Sequence, residues 1–163
     1  MATPYSKIID PFLSLVEKER EFFNYFGYTD EQAISLAEQR SLSYMNEAIA
    51  RFALSCELEF DIFDKNDLEK TFNPDLTEGE ILIIASLMYE RHLRRDFSKL
   101  KLMNRDYTSA ELRVFDPTGA RESFMKMYTQ VCAENEALLN TYQSKDRDTG
   151  RFKSVPYSAY DEE

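Results

Sequence analysis

Tryptophan is absent from this chain of 163 residues, and the residues that punctuate tight turns are scarce, 4 Gly and 5 Pro. So few turn formers exclude a β-sandwich or barrel, which needs a turn signal roughly every 8–12 residues. The 2 Cys, Cys56 and Cys132, lie far apart in the chain. They form neither a disulfide framework nor a CxxC knuckle, and two reduced, mostly buried thiols are expected. His92 is the single histidine. No zinc set and no Ser-His-Asp or Cys-His arrangement can be assembled around it, so it reads as a helix-face residue near a negative helix end. The glycines are isolated, which removes the glycine-rich turn that cradles a phosphate. No run approaches the ~18 apolar residues of a membrane span, and no apolar stretch follows a basic start as in a signal peptide. Folding in a reducing cytoplasm is expected.

Positive charge is also short: 20 Lys and Arg stand against 30 Asp and Glu, a formal net charge of −10. Such a surface keeps a protein soluble and repels nucleic acid at a distance, which argues against a conventional DNA-binding domain. The acidic group Asp61, Asp64, Asn66, Asp67 and Glu69 lacks the spacing and central glycine of a calcium loop and reads as solvated. No metal, no cofactor and no catalytic residue is expected, and the chain does not read as an enzyme.

What is present is apolar side chain at helical spacing. Apolar residues make up 43% of the chain, with 12 Phe and 10 Tyr among them. Thr3-Pro4 is one candidate helix start and Asp10-Pro11 another. Ile8, Phe12, Leu15, Val16, Phe22, Phe23 and Phe26 follow as a stripe that Pro11 interrupts and Gly27 ends. Thr29 with Gln32 is a capping-box pattern for a second helix, ending near Leu54 or Ser55. Its inner face runs through Ala33, Ile34, Ala37, Met45, Ala48, Ile49 and Phe52. Residues 57–63 alternate polar and apolar, which fits either a short strand without a partner or an extended connection. Asp64 to Asp75 reads as a polar loop with one helical turn around Asp67 to Phe72.

Thr77 with Glu80 caps a third helix whose run from Ile81 to Met88 is apolar nearly all round, so this helix should be central. Asn104 to Ala110 reads as a loop, and Glu111 to Phe115 as extended. Asp116-Pro117 opens a fourth helix with Phe124, Met127, Tyr128, Val131, Leu138, Leu139 and Tyr142 on one face. The resulting fold class is mainly α. It is a small bundle of about four long helices over residues 1–142, with a minor β element left open and an extended arm over residues 143–163.

Two features suggest binding. Arg91, Arg94, Arg95, Lys99 and Lys101, with Arg105 beyond, form a dense basic cluster toward the end of the third helix. Cations suit a helix C-terminus and solvate an exposed face. The same cluster also suits contact with the acidic side of a neighbouring subunit or with the lining of a channel. In the arm, Phe152, Val155, Tyr157 and Tyr160 are apolar anchors without a core to fill, accompanied by Arg151 and Lys153 and by Lys145 and Arg147. Without a helical or strand period, the arm is expected to order on a partner.

The opening Thr3-Pro4-Tyr5-Ser6-Lys7-Ile8-Ile9-Asp10 resembles the start of head-tail connector (adaptor) proteins from phages of Gram-positive hosts. Further pieces follow in the same order: Ala48-Ile49 with Phe52 and Cys56, Leu76-Thr77 with Glu80, Met88, and Glu136, Leu138-Leu139 and Tyr142. The resemblance covers roughly residues 3–150 and rests on order and spacing, since no single motif is specific. Pro11 inside the first helix and the aromatic stretch Phe22 to Tyr28 depart from the pattern. The resemblance implies a structural adaptor in the virion neck, assembled from the host cytoplasm as a twelve-membered ring beneath the portal protein. The ring would extend the DNA channel without specific DNA binding and carry the next neck or tail component. It also implies that the arm, with Phe152, Val155, Tyr157, Tyr160, Arg151 and Lys153, docks on the portal. The alternative from charge alone is an acidic helical protein that inhibits a host factor or mimics DNA.

Overall fold

Two capping boxes decide where the long central helices begin. A computed structural model describes residues 2–16, 29–106 and 117–153, with the backbone alone for 96–106 and 117–121. Helix α2 (Asp30–Ser55) starts where the Thr29 hydroxyl accepts from the Gln32 N–H at 3.4 Å and the Gln32 side chain accepts from the Thr29 N–H at 3.1 Å. Helix α3 (Glu78–Asp106) repeats the device, with the Glu80 carboxylate accepting from the Thr77 N–H at 2.8 Å. Both boxes are those read from the sequence, and each satisfies backbone donors that a helix start leaves open. Helices α1 (Ser6–Val16) and α4 (Pro117–Gln143) complete a mainly α fold.

Helix α3 is central, as its apolar run requires: α1, α2 and α4 all pack mainly on it. Ile8, Phe12 and Val16, one helical turn apart, are buried on α1. Phe52, Met45 and Ile49 of α2 and Ile84, Leu87 and Met88 of α3 are fully buried against them. Each of these side chains contributes about 1.5–3 kcal/mol by leaving water.

The N-terminus differs from both candidate helix starts. Thr3–Pro4 forms strand β1 rather than a cap, because the Thr3 hydroxyl is taken by the 74–76 segment: it donates to the Pro74 carbonyl at 3.3 Å and accepts from the Leu76 N–H at 2.9 Å. The helix begins at Ser6, which leaves Pro11 in its second turn. The carbonyl that Pro11 cannot satisfy belongs to Lys7, an exposed residue open to water.

The minor β element also sits elsewhere than residues 57–63. Lys65–Asn66 (β2) and Thr71–Phe72 (β3) form a hairpin, and β1 adds to its other side in the antiparallel order β1-β3-β2. No helical turn forms around 67–72. The Asn66 side chain accepts from the N–H groups of Leu68 and Glu69 and Lys70 takes a φ of 53°, so the chain reverses as a turn. The alternation at 57–63 is real but falls in an irregular connection that bends at 59–60 and turns at 61–64: Ile62 is buried and Leu58 and Phe60 half-buried, with no ladder. Gly27, the aromatics from Phe22 to Tyr28, residues 107–110, 111–115 and Asp116 lie outside the described residues; Asn104 itself falls within α3.

The expected inner faces hold less well away from α3. Ile34 on α2 is 62% exposed, and Leu15, Met127 and Leu138 also face solvent. On α4, Leu139 is buried and Phe124, Tyr128, Val131 and Tyr142 are half-buried, because this helix rests one side on the bundle.

Candidate functional site

Helix α4 does not end in a free arm. After Gln143 the chain closes a short hairpin in which the Asp146 N–H donates to the Arg151 carbonyl and the Lys153 N–H to the Ser144 carbonyl, both at 2.8 Å. Lys145 and Phe152 pair across it, and Gly150 makes the reversal at a φ of 65°. Residues 144–153 of the expected arm are therefore ordered against the body. Arg147 ties the hairpin there: its Nε donates to Glu80 at 2.7 Å, and it donates to the Asp75 carbonyl at 2.6 Å. Its guanidinium also lies over the Phe60 ring at 4.5 Å.

Glu80 is fully buried. Besides Arg147 and the Thr77 N–H it accepts the Tyr142 hydroxyl at 2.7 Å. Burial alone would push its carboxyl up, but these donors outweigh burial and hold it below the usual carboxylate range. Burial and the neighbouring carboxylate push the Tyr142 hydroxyl up. One residue thus caps α3, pins the last turn of α4 and roots the hairpin.

A second polar group joins α2, α3 and α4. Arg51 donates to Glu90 and to Glu136. Asn135 donates to the other Glu90 oxygen at 2.8 Å, accepts the Ser86 hydroxyl at 2.6 Å and donates to the Ser86 carbonyl at 3.3 Å. Burial disfavours the charge on Arg51, yet the two carboxylates raise its pKa above the ordinary value. His92 faces away from this group. It is buried in the middle of α3, not at a helix end, with the rings of Tyr44 at 5.9 Å and of Phe12 and Tyr89 at 6.4 Å. Glu90 and His92 are two residues apart, about 200° round a helix, so α4 and α1 flank α3 on different sides.

The expected basic cluster divides. Arg91, Arg94 and Arg95 line an open cleft of about 390 Å³ with Ser43, Tyr44 and Glu47 of α2, and Arg91 meets Glu47 at 3.6 Å. Lys99 and Lys101 lie farther along α3, where the backbone alone is described. A second groove of about 400 Å³ opens between α1, α2 and the β-turn, with Ile9, Leu13 and Leu42 within it. Of the arm residues, Arg151 and Lys153 are exposed and Phe152 is 72% exposed beneath the Lys145 ammonium. Val155, Tyr157 and Tyr160 lie outside the described residues.

Among the described residues no group of three or more His, Cys, Asp or Glu is placed to hold a metal ion, and no helix is long and apolar enough to cross a membrane. Cys56 is buried, its Sγ donating to the Leu139 carbonyl at 3.7 Å, and burial pushes its thiol up. Cys132 is half-buried, its thiol raised by burial. Compared with known proteins, the chain matches no family model, no curated protein and no solved structure.

Proposed function

We propose that this chain is a structural adaptor of a tailed-phage neck. Its copies form a ring under the portal, extend the DNA channel and carry the next neck or tail component. The observation that supports this best is the tied hairpin: a buried carboxylate and Arg147 hold residues 144–153 against the body. A fixed mount at the end of α4 suits docking on a large neighbour, and many such weak contacts act together through avidity. Val155, Tyr157 and Tyr160 follow it in sequence as apolar anchors for the portal, together with Arg151, Phe152 and Lys153 of the hairpin. Arg91, Arg94 and Arg95, continued by Lys99 and Lys101, supply a basic surface on an acidic molecule for a neighbouring subunit or the channel. A net charge of −10 favours passage of DNA without adhesion.

Mixing the purified chain with portal and measuring mass by light scattering tests the proposal. A portal-bound ring is expected, and failure to bind portal or any other neck protein refutes it. The same net charge favours a second reading, an acidic inhibitor of a host factor or a mimic of DNA. Mass spectrometry of purified virions separates the two, because an inhibitor has no place in the particle.

A further inference from the structure

The hairpin over 144–153 holds an aromatic in the open. Phe152 is 72% exposed, yet its backbone is fixed in a bridge to Lys145 and its mount is tied to the core by Arg147. Arg151 and Lys153 flank it and Lys145 lies 5.4 Å from its ring centre, so the exposed tip is apolar with a cationic surround. A large apolar side chain on an ordered mount avoids the backbone-ordering part of the cost of binding.

The groove between α1, α2 and the β-turn has the complementary character. Ile9, Leu13 and Leu42 are its half-buried apolar members, and Asp10, Glu38 and Glu69 are exposed carboxylates around them. Lys70 at the rim is matched to Glu38 at 3.6 Å, which leaves the acidic excess to Asp10 and Glu69.

The mount of the tip and one edge of the groove both meet the 74–76 segment. Arg147 holds the Asp75 carbonyl, while Thr3, one residue before the groove, holds Pro74 and Leu76. They lie on different sides of α3, the tip rooted on the α4 side and the groove on the α1 side. Among the described residues nothing covers Phe152 beyond the Lys145 ammonium, which leaves its ring open to a second copy.

We infer that the Phe152 tip of one copy seats in the Ile9–Leu13–Leu42 groove of a second copy, with Arg151 and Lys153 against Asp10 and Glu69. Because the two surfaces differ, the contact is head-to-tail, the kind that closes into a ring when its rotation closes. The inference rests on the ring reading for the high local concentration of neighbouring copies. It assigns the hairpin to the neighbouring subunit and leaves Val155, Tyr157 and Tyr160 to the portal.

The test replaces Phe152 with the photo-crosslinker p-benzoylphenylalanine in the full chain. This chain is mixed with isotopically heavy, otherwise unmodified copies, in concentrated solution and on portal-assembled rings. Crosslinks from position 152 to heavy peptides carrying Ile9, Leu13 or Leu42 are expected. Arg151→Glu with Lys153→Glu in the crosslinking copy should lower their yield about tenfold, and Asp10→Lys with Glu69→Lys in the heavy copy should restore it. Crosslinks confined to other peptides or to the same chain overturn the inference, as does a yield indifferent to both charge reversals. A ring on portal whose 152 crosslinks lie elsewhere refutes this contact and leaves the adaptor reading intact. Groove crosslinks from a chain absent from virions do the reverse.

Discussion

Removing the cation from Arg147 tests whether the buried carboxylate governs this fold. Arg147→Met keeps an unbranched apolar stem but removes the guanidinium and strands Glu80, whose side chain has no solvent exposure. Breaking a buried pair by deleting one partner costs about 3–5 kcal/mol. The lower end applies because the Arg147 side chain is itself 22% exposed and because Tyr142 and the Thr77 N–H continue to donate. About 3 kcal/mol corresponds to a melting shift of roughly 6–12 °C for a chain of this size.

The pH dependence gives the sharper signature. In the parent, Glu80 titrates below its ordinary range, so its stabilising effect is complete above the unfolded-chain value of about 4.3 and is lost as pH falls through the lower folded value. In Arg147→Met, burial prevails and the folded carboxyl rises above that value. The penalty is then full at pH 7 and is relieved as acid protonates Glu80, so the gap between the two proteins should narrow to about 1 kcal/mol near pH 4. Urea unfolding at a series of pH values measures this, and hydrogen exchange at the Asp146 and Lys153 amides reports the hairpin. A variant within about 0.5 kcal/mol of the parent at pH 7, or a penalty indifferent to pH, refutes the reasoning.

Three further outcomes are expected from the packing. Arg51→Met strands Glu90, whose side chain is 7% exposed, and should cost about 3 kcal/mol, whereas Glu136→Gln, at 61% exposure, should cost under about 1 kcal/mol, both by urea denaturation. Phe12→Ala removes a fully buried ring and should cost about 3–5 kcal/mol, while Ile34→Ser and Leu68→Ser, at 62% and 97% exposure, should each stay within about 0.5 kcal/mol. Truncation after Lys153 keeps every described contact of the hairpin and should leave the melting temperature near that of the full chain while abolishing portal attachment; truncation after Gln143 should match the loss in Arg147→Met.

The starts of α2 and α3 were legible because capping is local: Thr29 with Gln32 and Thr77 with Glu80 each carry the whole signal within four residues. The central place of α3 was legible because an apolar run on most sides buries most of the helix, Leu82 alone in that run standing open at 60% exposure. Strand placement was not. The β1-β3-β2 sheet is built of two-residue strands, below the length at which alternation shows, and Thr3 is a bridging residue by virtue of partners about 70 positions away. The polar groups were hidden for the same reason, although a trace existed. Glu90 falls on the helical face shared with Ile83 and Leu87, and a carboxylate at a core position demands a buried cation. Which cation could not be read, since Arg51 lies 39 residues away. Glu80 was recognised as a cap, but a capping glutamate is ordinarily exposed, and nothing near it in sequence announces Arg147, 67 residues later.

On the adaptor reading, the tied hairpin changes how assembly would be controlled. An arm loose from residue 143 would lose about 1–2 kcal/mol of backbone entropy for each residue ordered on its partner, of order 10–20 kcal/mol for residues 144–153 alone. Here that loss is met during folding, against hydrogen bonds closed within the chain and an ion pair with a fully buried carboxylate. On the adaptor reading, attachment then begins from a hairpin already folded, and stability of the body and strength of attachment become coupled through one side chain. Arg147→Met should weaken portal binding even though Arg147 faces Glu80 and not the partner, and it should do so at temperatures where the helices remain folded. Full attachment by a variant whose hairpin amides exchange freely would break that coupling, and with it the case that the root of the arm, rather than its anchors alone, determines how the subunit is held.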